Sequence, residues 1–289
     1  MEGISMEKIK ALWLAFFQTD RDADNWWTRK KKLCKERNIE IVRIQGDGKI
    51  FQHVRYDNQS QYHYLFHVSF LMKQGERFHL EEQVSTYQFC LENGKISNHK
   101  EMEYSSPFEQ KSSITPDGIR EHSERRFTYD RRAAVQYAEH WWNSYNPDFR
   151  VFDVDCTNYI SQCLLAGGAP MRGAPVRERG WWYQNQNNNW SFSWAVAHSL
   201  RWYLSGSTQG LQGKEVESAE ALLPGDVICY DFEGNGRWDH NTIVVAKDAS
   251  GMPLVNAHTD NSRYRYWSYE DSTAWTPNIQ YKFFRIGKQ

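Results

Sequence analysis

The sequence predicts an α+β protein built from two modules. Three observations lead there. Apolar residues near the start recur at three- and four-residue spacing and then, after Ile39, switch to alternation. A Ser-, Pro- and charge-rich stretch interrupts the chain at about residues 105–128. Helical periodicity then returns ahead of a second run of short strands. At 289 residues the chain has the length of about two domains. With 40% hydrophobic and 15% aromatic residues it can bury a core in each.

In the first module, residues 1–104, the segment Met6 to Arg37 reads as helical because Ile9, Leu12, Trp13, Phe16 and Phe17 share one face. Ile39 to Ile44 reads as a strand, Gly46-Asp47-Gly48 as a turn, and Ile50 to Tyr56 as a second strand. Gln61 to Met72 alternates through Tyr62, Tyr64, Phe66, Val68 and Phe70, as a half-buried strand does. Phe78 to Cys90 and Lys95 to Tyr104 continue the meander across Asn93-Gly94. A helix followed by such a meander is similar in topology to the cone-shaped nuclear-transport-factor and cystatin folds. Recognition of substrate, docking of a partner and dimerisation are the roles open to it, and its residues do not choose among them.

In the second module, residues 129–289, Tyr129 to Trp142 reads as a helix with Asp130 at its N-cap, ended by Asn146-Pro147. Asp155 to Ala166 is a second helix, closed by Gly167-Gly168. Ser193 to Leu204 is a third. Strands follow at Asp226–Tyr230, His240–Ala246, Leu254–His258 and Gln280–Ile286.

Composition removes several classes of function. Lys+Arg is 35 and Asp+Glu is 36, so the net charge of -1 supplies no global attraction to nucleic acid or to an anionic membrane. No apolar run approaches the roughly 18 residues of a membrane helix, and the first residues lack the pattern of a secretory signal. The expected location is therefore cytoplasmic, with spore deposition or non-signal export as the other routes. The 5 cysteines (Cys34, Cys90, Cys156, Cys163 and Cys229) are odd in number, widely spaced and without a CxxC pair. Reduced thiols are expected rather than a disulfide framework or a cysteine-rich zinc site.

Cys156 carries the sharpest chemical signal. It stands at the first turn of a helix, where free backbone N–H groups and the helix dipole favour an anion. A lowered thiol pKa is expected there. A nucleophilic thiol needs an imidazole within reach, and Asp239-His240-Asn241-Thr242 places one at the mouth of a strand. On the returning strand, Asn256 and His258 lie on one face by alternation, and either is suited to orient the His240 ring. Asp155 and Asp239 flank the two central residues and are expected to serve as helix cap and loop hydrogen-bond acceptor.

Three blocks then carry a resemblance: Asp155-Cys156-Thr157-Asn158-Tyr159-Ile160-Ser161-Gln162, Leu223-Pro224-Gly225-Asp226-Val227-Ile228, and Asp239-His240-Asn241-Thr242-Ile243-Val244-Val245. With Ala166-Gly167-Gly168 and Gly180-Trp181-Trp182, they resemble the papain-like NlpC and CHAP cell-wall hydrolases. More closely, they resemble the putative amidase domain family of Gram-positive bacteria, over about residues 129–286. The resemblance implies a papain-like domain with a helix packed on an antiparallel sheet. It also implies a cysteine hydrolase of amide bonds, with cell-wall peptide as substrate class and no cofactor required. Cys156 would be the nucleophile, His240 the base, and His258 or Asn256 the third member. The oxyanion would be held by the Cys156 backbone N–H, with a side chain from the segment before the helix. A binding or scaffold protein on the same fold, and an acyltransferase using the same pair, are the alternatives.

Two further features bear on ligands. Asp231, Glu233, Asn235 and Asp239 alternate around Gly236 like the start of a calcium loop, but Thr242 stands where the closing glutamate belongs, and a polar turn is the plainer expectation. Trp181 and Trp182 are candidates for lining a substrate groove, with core packing as the alternative.

Overall fold

The structure is a computed structural model that describes residues 2–18, 24–56, 59–92, 94–102 and 127–287. The chain divides into two compact units, Met1–Glu103 with Glu270–Thr273, and Tyr104–Tyr269 with Ala274–Gln289. The linker expected at 105–128 lies almost entirely outside the described residues.

In the first unit two helices stand where one was expected, α1 (Glu2–Gln18) and α2 (Trp26–Glu36). Asn25 starts the second of them with a reciprocal capping box. Its side chain accepts from Thr28 N at 3.0 Å, and the Thr28 hydroxyl accepts from Asn25 N at 3.2 Å. Four antiparallel strands follow: β1 (Glu40–Tyr56), β2 (Gln59–Gln74), β3 (Arg77–Glu92) and β4 (Lys95–Glu101). The turn expected at Gly46-Asp47-Gly48 is not formed. β1 runs straight through, with Gly46 opposite Val68 and Gly48 opposite Phe66. A Cβ on Gly46 would stand 2.9 Å from the Phe66 ring, so the glycine makes room for an aromatic side chain instead of reversing the chain. The core of this unit is aromatic. Trp13 stacks on Phe66 at 4.1 Å and donates its indole N–H to the Tyr64 hydroxyl at 2.9 Å. The buried Lys30 ammonium pairs with Glu81 and, at 2.7 Å, with Asp271, and all three groups are nearly water-free.

The second unit is α+β around one antiparallel sheet. Its helices are α3 (Arg131–Trp141), α4 (Cys156–Ala166), α5 (Phe192–Ala195) and α6 (Ala197–Gly206). The third expected helix is thus broken in two, because Val196 is extended (φ -121°). A two-residue hairpin, β5 (Tyr183–Gln184) with β6 (Asn189–Trp190), precedes α5. The remaining strands are β7 (Gly213–Val216), β8 (Val227–Asp231), β9 (His240–Lys247), β10 (Pro253–Ala257), β11 (Asn261–Tyr266) and β12 (Gln280–Ile286). They lie side by side in the order β11-β10-β9-β8-β12-β7. β7 and β11 were not foreseen, since neither shows clean alternation in sequence.

Asp226 ties this unit together. Its carboxylate accepts from Leu223 N at 2.8 Å and Ile286 N at 2.9 Å and pairs with Arg131 Nη1 at 2.6 Å, linking α3 to the ends of two strands. Residues paired across the ladder share a face, which sorts the sheet. Val227, Cys229, Ile243 and Val245 meet Tyr159, Ile160, Cys163 and Leu164 of α4. Ile228, Tyr230 and Val244 face the other way, toward Val255, Ala257 and Tyr269. Among the described residues no helix is long and apolar enough to cross a membrane.

Candidate active site

Cys156 opens α4 as its first helical residue. Asp155 precedes it without making a side-chain cap, contrary to the expectation for that residue. Its carboxylate instead organises the approach to the helix. Oδ1 accepts from Phe152 N at 3.0 Å and from Asn158 Nδ2 at 2.9 Å, while Oδ2 accepts from His258 Nδ1 at 2.8 Å. The helix N-terminal N–H groups are taken up by a residue from a distant turn. Thr259 Oγ1 accepts from Asp155 N at 3.1 Å and from Cys156 N at 3.2 Å.

The sulfur is buried, with 1% of Cys156 exposed. Its side-chain neighbour is the Thr157 hydroxyl at 3.7 Å. Burial pushes the thiol up; the Thr157 hydroxyl and the backbone N–H of Asn241 pull the other way without cancelling it. The direction is thus upward, opposite to the lowering expected from the helix terminus, and its largest cause is loss of water. Burial also raises Cys34, to about 11, and Cys163 and Cys229.

His240 begins β9. It pairs with Tyr230, and its ring lies among Tyr230, Phe232 and Tyr269, on the face of the sheet turned away from α4. Nε2 stands 3.3 Å from the Tyr269 hydroxyl, which also meets Ser262 Oγ at 3.1 Å. Burial, assisted by Arg265, lowers the imidazole to about 3, so it is neutral across the physiological range. Asn241, the next residue, points to the α4 side and donates Nδ2 to Thr157 Oγ1 at 3.0 Å. The structure thus brings the backbone beside His240 up to the sulfur, while the ring itself is held by Tyr269. Cys156 and His240 are not hydrogen-bonded to each other.

Neither candidate for the third member touches His240. Asn256 donates to Glu139 Oε1 at 2.7 Å and accepts from Tyr264 N at 3.0 Å. The His258 ring nitrogens stand 2.8 Å from Asp155 Oδ2 (Nδ1) and 2.8 Å from Trp141 O (Nε2), and the ring stacks on Tyr159 at 4.0 Å. Both are locked into buried networks on the α4 side of the sheet.

Trp181 and Trp182 are 0% and 1% exposed, so they do not line an open groove. Trp181 donates to Ser161 Oγ and Trp182 to Arg179 O, both at 2.9 Å, inside the core. The Asp231–Asp239 loop turns its oxygens onto its own backbone. Asp231 accepts from Gly234 N, Asn235 N and Gly236 N, and Asp239 accepts from Phe232 N. Glu233 accepts from the Asn235 side chain, whose oxygen in turn accepts from Arg237 N. That is the hydrogen-bonding of a polar turn rather than of a cation cage. Among the described residues no group of three or more His, Cys, Asp or Glu side chains converges as a metal site would require. Burial raises Asp239 to about 6.

Sequence reasoning missed Thr259, Thr157, Asn241 and Tyr269. Thr259 and Tyr269 have positive φ values (89° and 56°), a tertiary feature with no sequence signature at non-glycine positions. Thr157 and Asn241 stand in the recognised blocks, beside Cys156 and His240, and their adjacency was the available signal.

The putative amidase domain family matches residues 128–284. The uncharacterized protein YhbB of Bacillus subtilis (strain 168) is 48% identical over 266 residues, covering 89% of this chain and 85% of that protein. The uncharacterized protein YjcM of the same organism is 28% identical over 142 residues, 46% of this chain and 31% of that protein. No solved structure matches.

Proposed function

We propose, for a chain that belongs to the putative amidase domain family, a cysteine-dependent hydrolase that cleaves an amide bond in a cell-wall peptide or related amide. The observation that carries this is the sulfur of Cys156 at the head of α4, apposed to the backbone of the strand that His240 begins. In such a reaction the Cys156 proton passes to His240 as sulfur bonds to the amide carbonyl carbon. The oxyanion collapses, the C–N bond breaks, and the imidazolium protonates the leaving amine. His240 then takes a proton from water, whose oxygen displaces the thioester sulfur, and the proton returns to Cys156. No cofactor is needed to balance these steps.

On this reading the pair is at rest in the arrangement described. The thiol is protonated, the imidazole is neutral, and in this reading turnover requires the His240 ring to leave the Tyr269 hydroxyl and pass to the α4 face of the sheet. A non-catalytic scaffold is the second reading, favoured by the buried sulfur and by the absence of a bond to His240. An acyltransferase would use the same first half-reaction, with an amine in place of water.

The test is a screen of peptidoglycan fragments and simple amides against the wild type, Cys156→Ala and His240→Ala. Cleavage by the wild type that both variants abolish supports the hydrolase. Iodoacetamide labelling that never favours Cys156 over the other four thiols, with no cleavage of any substrate, supports the scaffold.

A further inference from the structure

Thr259 is placed unlike any other residue of the site. It follows His258 in the turn between β10 and β11, and its φ of 89° is a conformation that a β-branched side chain rarely adopts. What the conformation achieves is visible in its bonds. One hydroxyl oxygen accepts both N–H groups at the head of α4, from Asp155 and from Cys156 itself. Those are the donors that would ordinarily receive the oxyanion formed on attack by Cys156. With both lone pairs of Oγ1 engaged, the hydroxyl retains one function, its own proton. Among the described residues that proton has no acceptor. Two N–H donors behind the oxygen polarise the O–H and strengthen it as a donor. A second group nearby is also unfinished. Asn241, 0% exposed, spends one amide atom on Thr157 beside the sulfur and leaves its Oδ1 without a partner. A donor and an acceptor near one sulfur are the complement of an amide, which offers a carbonyl oxygen and an N–H.

We propose that Thr259 is the oxyanion donor of this site: its hydroxyl, fixed by the N–H groups of Asp155 and Cys156, donates to the carbonyl oxygen of the acyl group that Cys156 attacks. The assignment rests on Cys156 being the nucleophile. As sulfur bonds to the carbonyl carbon, the carbonyl π pair moves onto oxygen, which accepts the Thr259 O–H. When the pair returns, the leaving group departs and the hydroxyl keeps its proton throughout. The conformational strain at Thr259 is sustained because both ends are held, by the helix head on one side and by the His258 clamp on the other.

The test compares two reactions of one sulfur on the full chain. Acylation by p-nitrophenyl acetate passes through an oxyanion, whereas alkylation by iodoacetamide does not. Thr259→Val, which keeps the shape and removes the hydroxyl, should slow acylation of Cys156 by about 10²-fold or more and leave alkylation within about twofold of wild type. Thr259→Ser, which keeps the hydroxyl, should retain acylation. Acylation by the valine variant at the wild-type rate would show that the freed backbone N–H groups hold the oxyanion, and would overturn the proposal. An equal fall in both reactions would overturn it too, assigning Thr259 to support of the helix alone. Failure of the underlying nucleophile assignment has a different signature: wild type and Cys156→Ala would release nitrophenol equally.

Discussion

Replacing His258 by alanine separates its observed role from the one its position in sequence suggested. The ring nitrogens meet Asp155 Oδ2 and Trp141 O and the ring stacks on Tyr159, with the His258 and Asp155 side chains 3% and 2% exposed. A buried hydrogen bond to a carboxylate contributes about 1.5–3 kcal/mol and a neutral one about 0.5–1.5. Ring stacking contributes about 0.5–1.5 kcal/mol. His258→Ala should therefore cost about 4 kcal/mol, which for a unit of this size lowers the midpoint of thermal unfolding by about 10 °C. Urea titration followed by tryptophan fluorescence measures it. Because Asp155 is the partner, His258→Ala and Asp155→Ala should be non-additive, with a coupling of at least about 1 kcal/mol. A loss below about 1 kcal/mol, or strict additivity, would refute the clamp. It would also return His258 to consideration as a mobile partner of His240.

Two other outcomes follow from the same geometry. His240 is held at about 3 by burial, below its ordinary 6.5. Its contribution to stability is therefore complete above about pH 6.5 and is lost as pH falls toward 3, by up to about 1.4 kcal/mol per pH unit. His240→Gln should flatten the decline of stability between about pH 6.5 and pH 5 by about 2 kcal/mol in urea titrations, and equal slopes for the two proteins would exclude it. Asp226→Ala strips the acceptors from Leu223 N and Ile286 N and leaves Arg131 without its carboxylate. A loss of about 3–5 kcal/mol is expected by the same titration, and a change within 1 kcal/mol would show that water replaces the carboxylate.

The α+β class was legible in sequence because periodicity survives without tertiary context. The alternation from Tyr62 to Phe70 became β2, and Cys156 to Ala166 became α4 at nearly the expected bounds. Asp226 was visible as part of a Pro-Gly-Asp turn feeding a strand. The glycines of β1 misled, since Gly46 reports the size of Phe66 across the ladder rather than a reversal of the chain. Trp181 and Trp182 were open to two readings for a related reason: a large aromatic looks the same in sequence whether it faces water or the core, and here the core took both.

What the amino-acid order determined by itself was the set of local elements and the reactive residue types on them: a cysteine heading a helix and a histidine heading a strand. Tertiary structure decided what surrounds each group. It buried the sulfur, so the thiol rises where the helix dipole alone would lower it. It turned His240 to the Tyr269 side of the sheet and gave His258 to Asp155. It brought Thr259 across about a hundred residues of chain to the head of α4. The physical reason is range. Helix and strand periodicity arise between neighbours a few residues apart, whereas desolvation and hydrogen-bond partnership depend on which distant segments exclude water from the same few ångströms.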